Sequence, residues 1–227
     1  IKLSENGGAS YDTLIATGVN PEANAYTWTP IPDKIWNDRR VRIELASDPT
    51  DVFDVSDGNF TIKGKLTLTS PNGLEVWPAQ TSQSVTWNKA GTFATISLSS
   101  STNSGGTYPT TIATGVAAGA TSGFYTWAVP VVAISDFARV KVTSDQTPAL
   151  AVEDISDADF KIVPSVQVTA PNGNEIWRVG ESRSITWIIN GAITNVKIEY
   201  STDGGSTWVL PAIVDSTSAS LGSAVWT

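Results

Sequence analysis

The 227-residue chain has no cysteine, no histidine and no methionine. The first two absences exclude disulfides, thiolate nucleophiles, Cys/His zinc centres, histidine-ligated haem and the Ser-His-Asp triad. Charge is sparse at 16% of residues, and positive charge is sparser. Against 22 Asp and Glu stand 14 Lys and Arg, for a net charge of -8. A surface of that sign repels phosphate backbones, so nucleic acid is not an expected partner. No apolar run approaches the ~20 residues of a membrane-crossing helix, and no long stretch carries apolar residues at helical spacing. The chemistry left is that of carboxylates, hydroxyls and lysine. Calcium, which binds through oxygen, is the cation such a composition can still hold.

What is present points to strands. Ser, Thr, Gly and Val are abundant, which favours strands and turns, and 41% of residues are hydrophobic, enough for a core. At roughly 100–150 residues per domain, the length suggests two domains, or two and a fraction. The sequence also repeats itself. LTLTSPNGLEVW at 66–77 returns as VQVTAPNGNEIW at 166–177. SVTW ending at Trp87 returns as SITW ending at Trp187, and DVSDGNF ending at Phe60 as DISDADF ending at Phe160. NAYTW, GFYTW and SAVW end at Trp28, Trp127 and Trp226.

The repeating unit is thus about 100 residues long. In its complete copy eight runs read as strands: 65–70, 75–77, 84–87, 94–100, 110–116, 124–130, 138–144 and 158–163. Most alternate apolar with polar residues, the period of half-buried strands, as in Ile96 and Leu98 or Val140 and Val142. The turn signals PNG at 71–73 and NSGG at 103–106 punctuate them. Short strands at this spacing predict an all-β chain of tandem immunoglobulin-like antiparallel β-sandwiches. A β-propeller would need a period nearer 40–50.

The register divides the chain into 1–63, a repeat lacking its first strands, 64–163, a complete repeat, and 164–227, a repeat lacking its last strands. Residue 1 aligns with Ile96, in mid-repeat. Two explanations stand open: a window on a longer array, or missing strands supplied by neighbouring chains through strand addition. The opening on Ile1 rather than Met reads as a processed or excised piece. Only Lys63-Gly64 or Pro164-Ser165 separates one unit from the next. Neither is a flexible linker, so the sequence predicts a stiff, rod-like array.

Three features are candidates for function. The recurring tryptophans Trp77/Trp177, Trp87/Trp187 and Trp28/Trp127/Trp226 read as core anchors rather than sugar platforms. Trp36 differs, because its counterpart is Ser135 and it lies among charges in IWNDRR. It is expected in a loop, as an exposed aromatic that makes a plain surface or interface contact or, in the alternative, meets a ligand such as a cell-surface glycan. The acidic segment SDPTDVFDVSD and its copy SDQTPALAVEDISDAD share D-x-S-D, with Asp54, Asp57, Asp154 and Asp157. Clustered loop carboxylates can chelate calcium, and they can equally cap turns. Their recurrence in each unit argues against a glycosidase pair.

The third feature is Ser201-Thr-Asp-Gly-Gly-Ser-Thr-Trp208, which resembles the Asp-box of sialidases and other β proteins. In that pattern the Asp ties the turn, the glycines allow positive φ and the aromatic packs beneath. Degraded copies run from Ser4 to Tyr11 and from Ser101 to Tyr108, with Asn for Asp. The box resembled is structural and lies away from active sites.

Taken together, PNGxE[VI]W, S[VI]TW, a GG hairpin, YTW, RVKV and DxSDxxF resemble the Ig-like repeats of large extracellular prokaryotic surface proteins. The pattern is also similar to the Kre9/KNH-like, Ser/Thr-rich cell-wall family of fungi. The resemblance covers nearly the whole chain and supplies no catalytic residue. It implies a non-catalytic segment of a surface filament, sheath, stalk or adhesin shaft, outside the cell, whose partners are its own neighbours. The alternative is a glycan-binding accessory module of a secreted enzyme or adhesin.

Overall fold

The computed structural model describes all 227 residues. The chain forms 19 strands, three single-turn 3-10 helices and no α-helix, and no helix is long and apolar enough to cross a membrane.

Residues 1–63 form β1 (Lys2–Ser4), β2 (Thr13–Leu14), β3 (Trp36–Leu45), β4 (Asp48–Val55) and β5 (Phe60–Ile62). They make one antiparallel sheet in the order β2-β1-β3-β4, with β5 also on β3. Its buried residues are few: Leu3, Ser4, Arg39 and Ile62.

Residues 64–163 carry the main core. They form β6 (Lys65–Ser70), β7 (Val76–Pro78), β8 (Ser82–Ala90), β9 (Thr95–Ser101), β10 (Thr110–Ala117), β11 (Ser122–Ala128), β12 (Ser135–Ser144), β13 (Glu153–Ile155) and β14 (Phe160–Val163). One sheet runs β11-β8-β6 and the other β10-β9-β12-β14-β7, with β13 also on β12. All pairs are antiparallel except β7 with β14. The alternation read from the sequence is the reason for this arrangement. Leu66, Leu68, Val85, Trp87 and Trp127 point inward from the first sheet, and Ile96, Leu98, Val140, Val142 and Phe160 from the second, into one apolar cluster of 18 residues. Trp87 is 1% exposed and its Nε1 donates to the Ala118 carbonyl at 3.0 Å. Its ring faces Gly123 across the β8–β11 pair, where a Cβ would come within 2.6 Å of the indole.

Residues 164–227 form β15 (Ser165–Ala170), β16 (Arg183–Asn190), β17 (Asn195–Ile198), β18 (Val214–Ser218) and β19 (Ser223–Trp226). Their sheets are β15-β16-β19 and β17-β18. Here Ile185, Trp187 and Ile198 form a small buried cluster. Contacts of the middle segment return about 100 residues on. Trp187 Nε1 donates to the Ala219 carbonyl at 2.8 Å. The edge-on pair Trp77–Trp127, 6.2 Å between centroids, returns as Trp177–Trp226, also at 6.2 Å. The hydroxyl pair Thr69–Thr86 at 2.7 Å returns as Thr169–Thr186 at 2.6 Å.

Two expectations need correction. The acidic segments are loops only in part: residues 48–55 form β4 and 153–155 form β13, so Asp54 and Asp154 lie in strands, while Asp57 and Asp157 stay in the turns that follow. The strand β4 is exposed along nearly its whole length, so burial imposes no alternation and its sequence does not look like a strand. Trp36 is likewise not in a loop: it opens the ten-residue β3 and pairs with Ile62.

The joins between segments are packed. Ile35 packs against the 64–163 core and fills a notch at Gly91, where a Cβ would meet Ile35 Cδ1 at 2.7 Å. Asp33 accepts bonds from the Thr92 amide and hydroxyl. The next join repeats the arrangement. A Cβ on Gly191 would meet Ile134 Cδ1 at 2.5 Å and Pro164 Cβ at 3.1 Å. Ser165 Oγ donates to the Ala79 carbonyl at 2.6 Å and accepts from Asn190 Nδ2 at 3.0 Å.

Candidate functional site

The D-x-S-D motif and the PNG turn, 85 residues apart in sequence, meet in space. Pro71 opens the turn, and its carbonyl accepts from Ser156 Oγ at 2.8 Å. The same Oγ accepts from the Val140 amide at 3.0 Å. Asp157 is joined to Asn72 twice: its amide donates to Asn72 Oδ1 at 2.8 Å, and its Oδ2 accepts from Asn72 Nδ2 at 2.6 Å. Asp154 Oδ2 accepts from the Leu68 amide at 2.7 Å, next to the register shift between Leu68 and Ser70 in the β6–β8 pair. Glu75 completes the turn by accepting from the amides of Asn72 and Gly73, both at 2.7 Å. The motif is therefore a clasp. It fastens the last strands of the 64–163 segment to its first turn and satisfies backbone donors that the sheets leave open.

In 1–63 the same motif has only its local half. Ser56 Oγ accepts from the Val41 amide at 2.9 Å, as Ser156 does from Val140. Asp54 sits in β4 opposite Ile43. In 164–227 the turn has its own acid, with Glu175 accepting from the amides of Asn172 and Gly173, both at 2.7 Å. These amide bonds hold the Glu175 carboxyl below the usual range.

The four aspartates named as calcium candidates are thus divided between the two segments, and Asp154 and Asp157 already have partners within the protein. No group of three or more acidic side chains lies close enough to hold a metal ion. Chelation with EDTA is accordingly expected to leave the thermal unfolding midpoint unchanged, and a fall of several degrees would restore the calcium reading.

The three hairpins share one hydrogen-bond plan. Ser201 Oγ donates to Asp203 Oδ1 and accepts from the Gly205 amide, while the Thr207 amide and hydroxyl donate to Asp203. With Asn103 in place of Asp, Ser101 and Thr107 make the corresponding bonds, and Asn6 does so with Ser4 and Ser10. Gly204 and Gly205 both take positive φ, 71° and 91°. This correspondence sets Ser4 level with Ser101, and so Ile1 level with Leu98 rather than with Ile96. The aromatic does not behave alike in all three. Tyr108 is partly buried with Lys141 of β12 at 4.9 Å over its ring, whereas Trp208 is 56% exposed. The expected packing of Trp208 beneath its hairpin does not occur, because β17 pairs only with β18 and no strand supplies the floor that β12 gives Tyr108.

Hydroxyl donation from Ser201, then Thr207, lowers the Asp203 pKa from 3.8 to about 2. A depressed folded value means the carboxylate's contribution is complete above the unfolded pKa and is lost as pH falls through the folded one. A carboxyl-carbon NMR titration is expected to give a midpoint near 2 for Asp203. Asp203→Asn should keep the turn, as Asn103 does, and remove the stability change between about pH 4 and pH 2. A wild-type midpoint near the ordinary value would discount the network.

The tryptophans divide as their environments dictate. Trp77, Trp87, Trp127 and Trp187 are buried, and Trp28, Trp177 and Trp226 partly so. Trp36 is 50% exposed, and Trp208 is open to solvent as well. Sequence reasoning did not find the clasp, although its two halves recur in register. No protein-family model and no curated protein matches the chain.

Proposed function

We propose that the chain is a non-catalytic structural segment of an extracellular surface filament, sheath, stalk or adhesin shaft. It would consist of Ig-like repeats with 1–63, 64–163 and 164–227 as successive units. The single observation that carries this reading is the recurrence of the packed join. Ile35 in the Gly91 notch and Ile134 in the Gly191 notch do the same work at successive boundaries, and neither join contains a free linker. The two-layer order of the middle segment, with β7 parallel to β14, supports the Ig-like assignment. The clasp supports a mechanical role, because it ties the first and last strands of a unit together. β17 carries a partner on one edge only, which leaves room for strand addition by a neighbour.

Small-angle scattering of the 227-residue chain tests the reading. One extended shape should fit the wild-type curve. Ile35→Ala, which removes the plug without straining the backbone, should broaden the distance distribution. A wild type already as broad as the variant would overturn the stiff-rod reading.

A glycan-binding accessory module is the second reading, favoured by the exposed indoles of Trp36 and Trp208. Mutating both to alanine would abolish binding on a glycan array if the indoles are the platform.

A further inference from the structure

We propose that residues 1–63 carry a binding site for a carboxylate-bearing saccharide, centred on Arg40 and Arg42 of β3. The site lies on the outer face of the β2-β1-β3-β4 sheet. There the hairpin at 4–11 and the strand β4 wall a groove of about 640 Å³, within the size of small-ligand sites. The inference goes beyond the glycan-binding reading: it keeps a saccharide as the ligand but places it on the arginines of β3, away from the exposed indoles of Trp36 and Trp208.

The argument is a comparison of one frame used twice. In the middle segment the frame is neutral. Arg139 Nε donates to Asp159 at 2.6 Å, and Lys141 lies 3.7 Å from Glu153. In 1–63 both acids are gone. Arg40 Nε makes the corresponding bond to neutral Asn59 at 2.7 Å. Phe53 stands opposite Glu44 where Glu153 stands opposite Thr143. Lys2 adds a third cation, directly across from Arg42. Glu44 alone answers the three, at 2.7 Å from Lys2 and 3.0 Å from Arg42. Two positive charges are left over in a chain whose net charge is -8, and like charges facing each other across strands are destabilising. Arg42 Nη2 donates to the Pro49 carbonyl and its buried Nε faces Glu44 at 3.0 Å, so the fork is held in place at the groove wall.

The chemistry of the walls selects the ligand. A planar carboxylate matches a guanidinium through paired hydrogen bonds. Arg42 already lies 3.9 Å from the Phe53 ring centroid and 6.0 Å from that of Tyr11, so the anion is received beside aromatic faces of the kind that take sugar rings.

The test is titration of the isotope-labelled 227-residue chain with tri-galacturonate, followed by amide NMR shifts. Shifts should be confined to residues 2–11 and 40–55, and the fully methyl-esterified trimer should produce none. Asn59→Asp with Phe53→Glu gives this frame the acids of the middle segment, which folds with them. This double variant should weaken binding at least about tenfold, or 1.4 kcal/mol. Unchanged affinity in that variant would overturn the site. Binding lost instead in Trp36→Ala would overturn it while preserving the glycan reading. No shift with tri-galacturonate in the wild type would overturn the site, and a wild type that also binds nothing on the glycan array would overturn the glycan reading with it. Tighter binding of hexaglutamate would show a site for acidic peptide and overturn the saccharide assignment.

Discussion

Trp87→Ala is expected to destabilise the 64–163 segment by about 3–5 kcal/mol, the cost of truncating a fully buried tryptophan. The ring is 1% exposed in the 18-residue cluster and is held at its edge by the Ala118 carbonyl. Truncation leaves a cavity and strands that carbonyl. A domain is typically stable by only about 5–15 kcal/mol, so the variant should unfold at a much lower guanidinium concentration. Far-UV circular dichroism is the proper probe, because the mutation removes a fluorophore. Trp187→Ala supplies the control. Its ring makes the equivalent bond but belongs to a cluster of only three buried residues. Its loss should be clearly smaller. Equal losses would mean that the surrounding core does not set the cost, and a Trp87→Ala loss below about 1 kcal/mol would contradict the packing described.

The difference between those two tryptophans shows what a sequence can and cannot display. SVTW and SITW are nearly identical, and the alternation around each marks a strand with its indole inward. That signal is local and correct at both sites. How much of each ring is covered depends on strands far away in the chain, which the motif does not encode.

Arg39 illustrates the opposite failure. It occupies the inward position of β3 that Ala138 occupies in β12, and it is 6% exposed. Its guanidinium is satisfied by the carbonyls of Lys34 and Glu5 and by Asp38. A charged residue facing inward breaks the period of two, so IWNDRR reads as a loop although it begins the longest strand of its sheet. The strand β4 hides for another reason, since both of its faces meet water. The acidic motif was visible as a repeat and ambiguous in role. An aspartate that binds a cation and one that binds a backbone amide have the same sequence signature, and only the placement of Asn72 and Leu68 decides between them.

That placement makes Ser156 the second position with a large expected effect. The side chain is fully buried, and its one oxygen serves two backbone groups, the Val140 amide and the Pro71 carbonyl. Alanine would leave both without a partner in a site closed to water. Each buried group left unsatisfied costs about 1–3 kcal/mol, so Ser156→Ala should lose at least about 2 kcal/mol, a large effect for the removal of one oxygen atom. Asp157→Ala should cost less, because the residue is exposed and water can replace Asn72. Ser56→Ala should also cost less. Ser56 serves the Val41 amide but reaches no proline turn, so its loss strands one group instead of two. The ranking separates a clasp from a generic turn. If the two serine variants fell equally, the contribution would come from the local bond to β12 or β3. The join between first and last strands would then contribute little to stability. If Ser156→Ala alone fell steeply, this one hydroxyl would be what fastens the first turn of the 64–163 segment to its last strands.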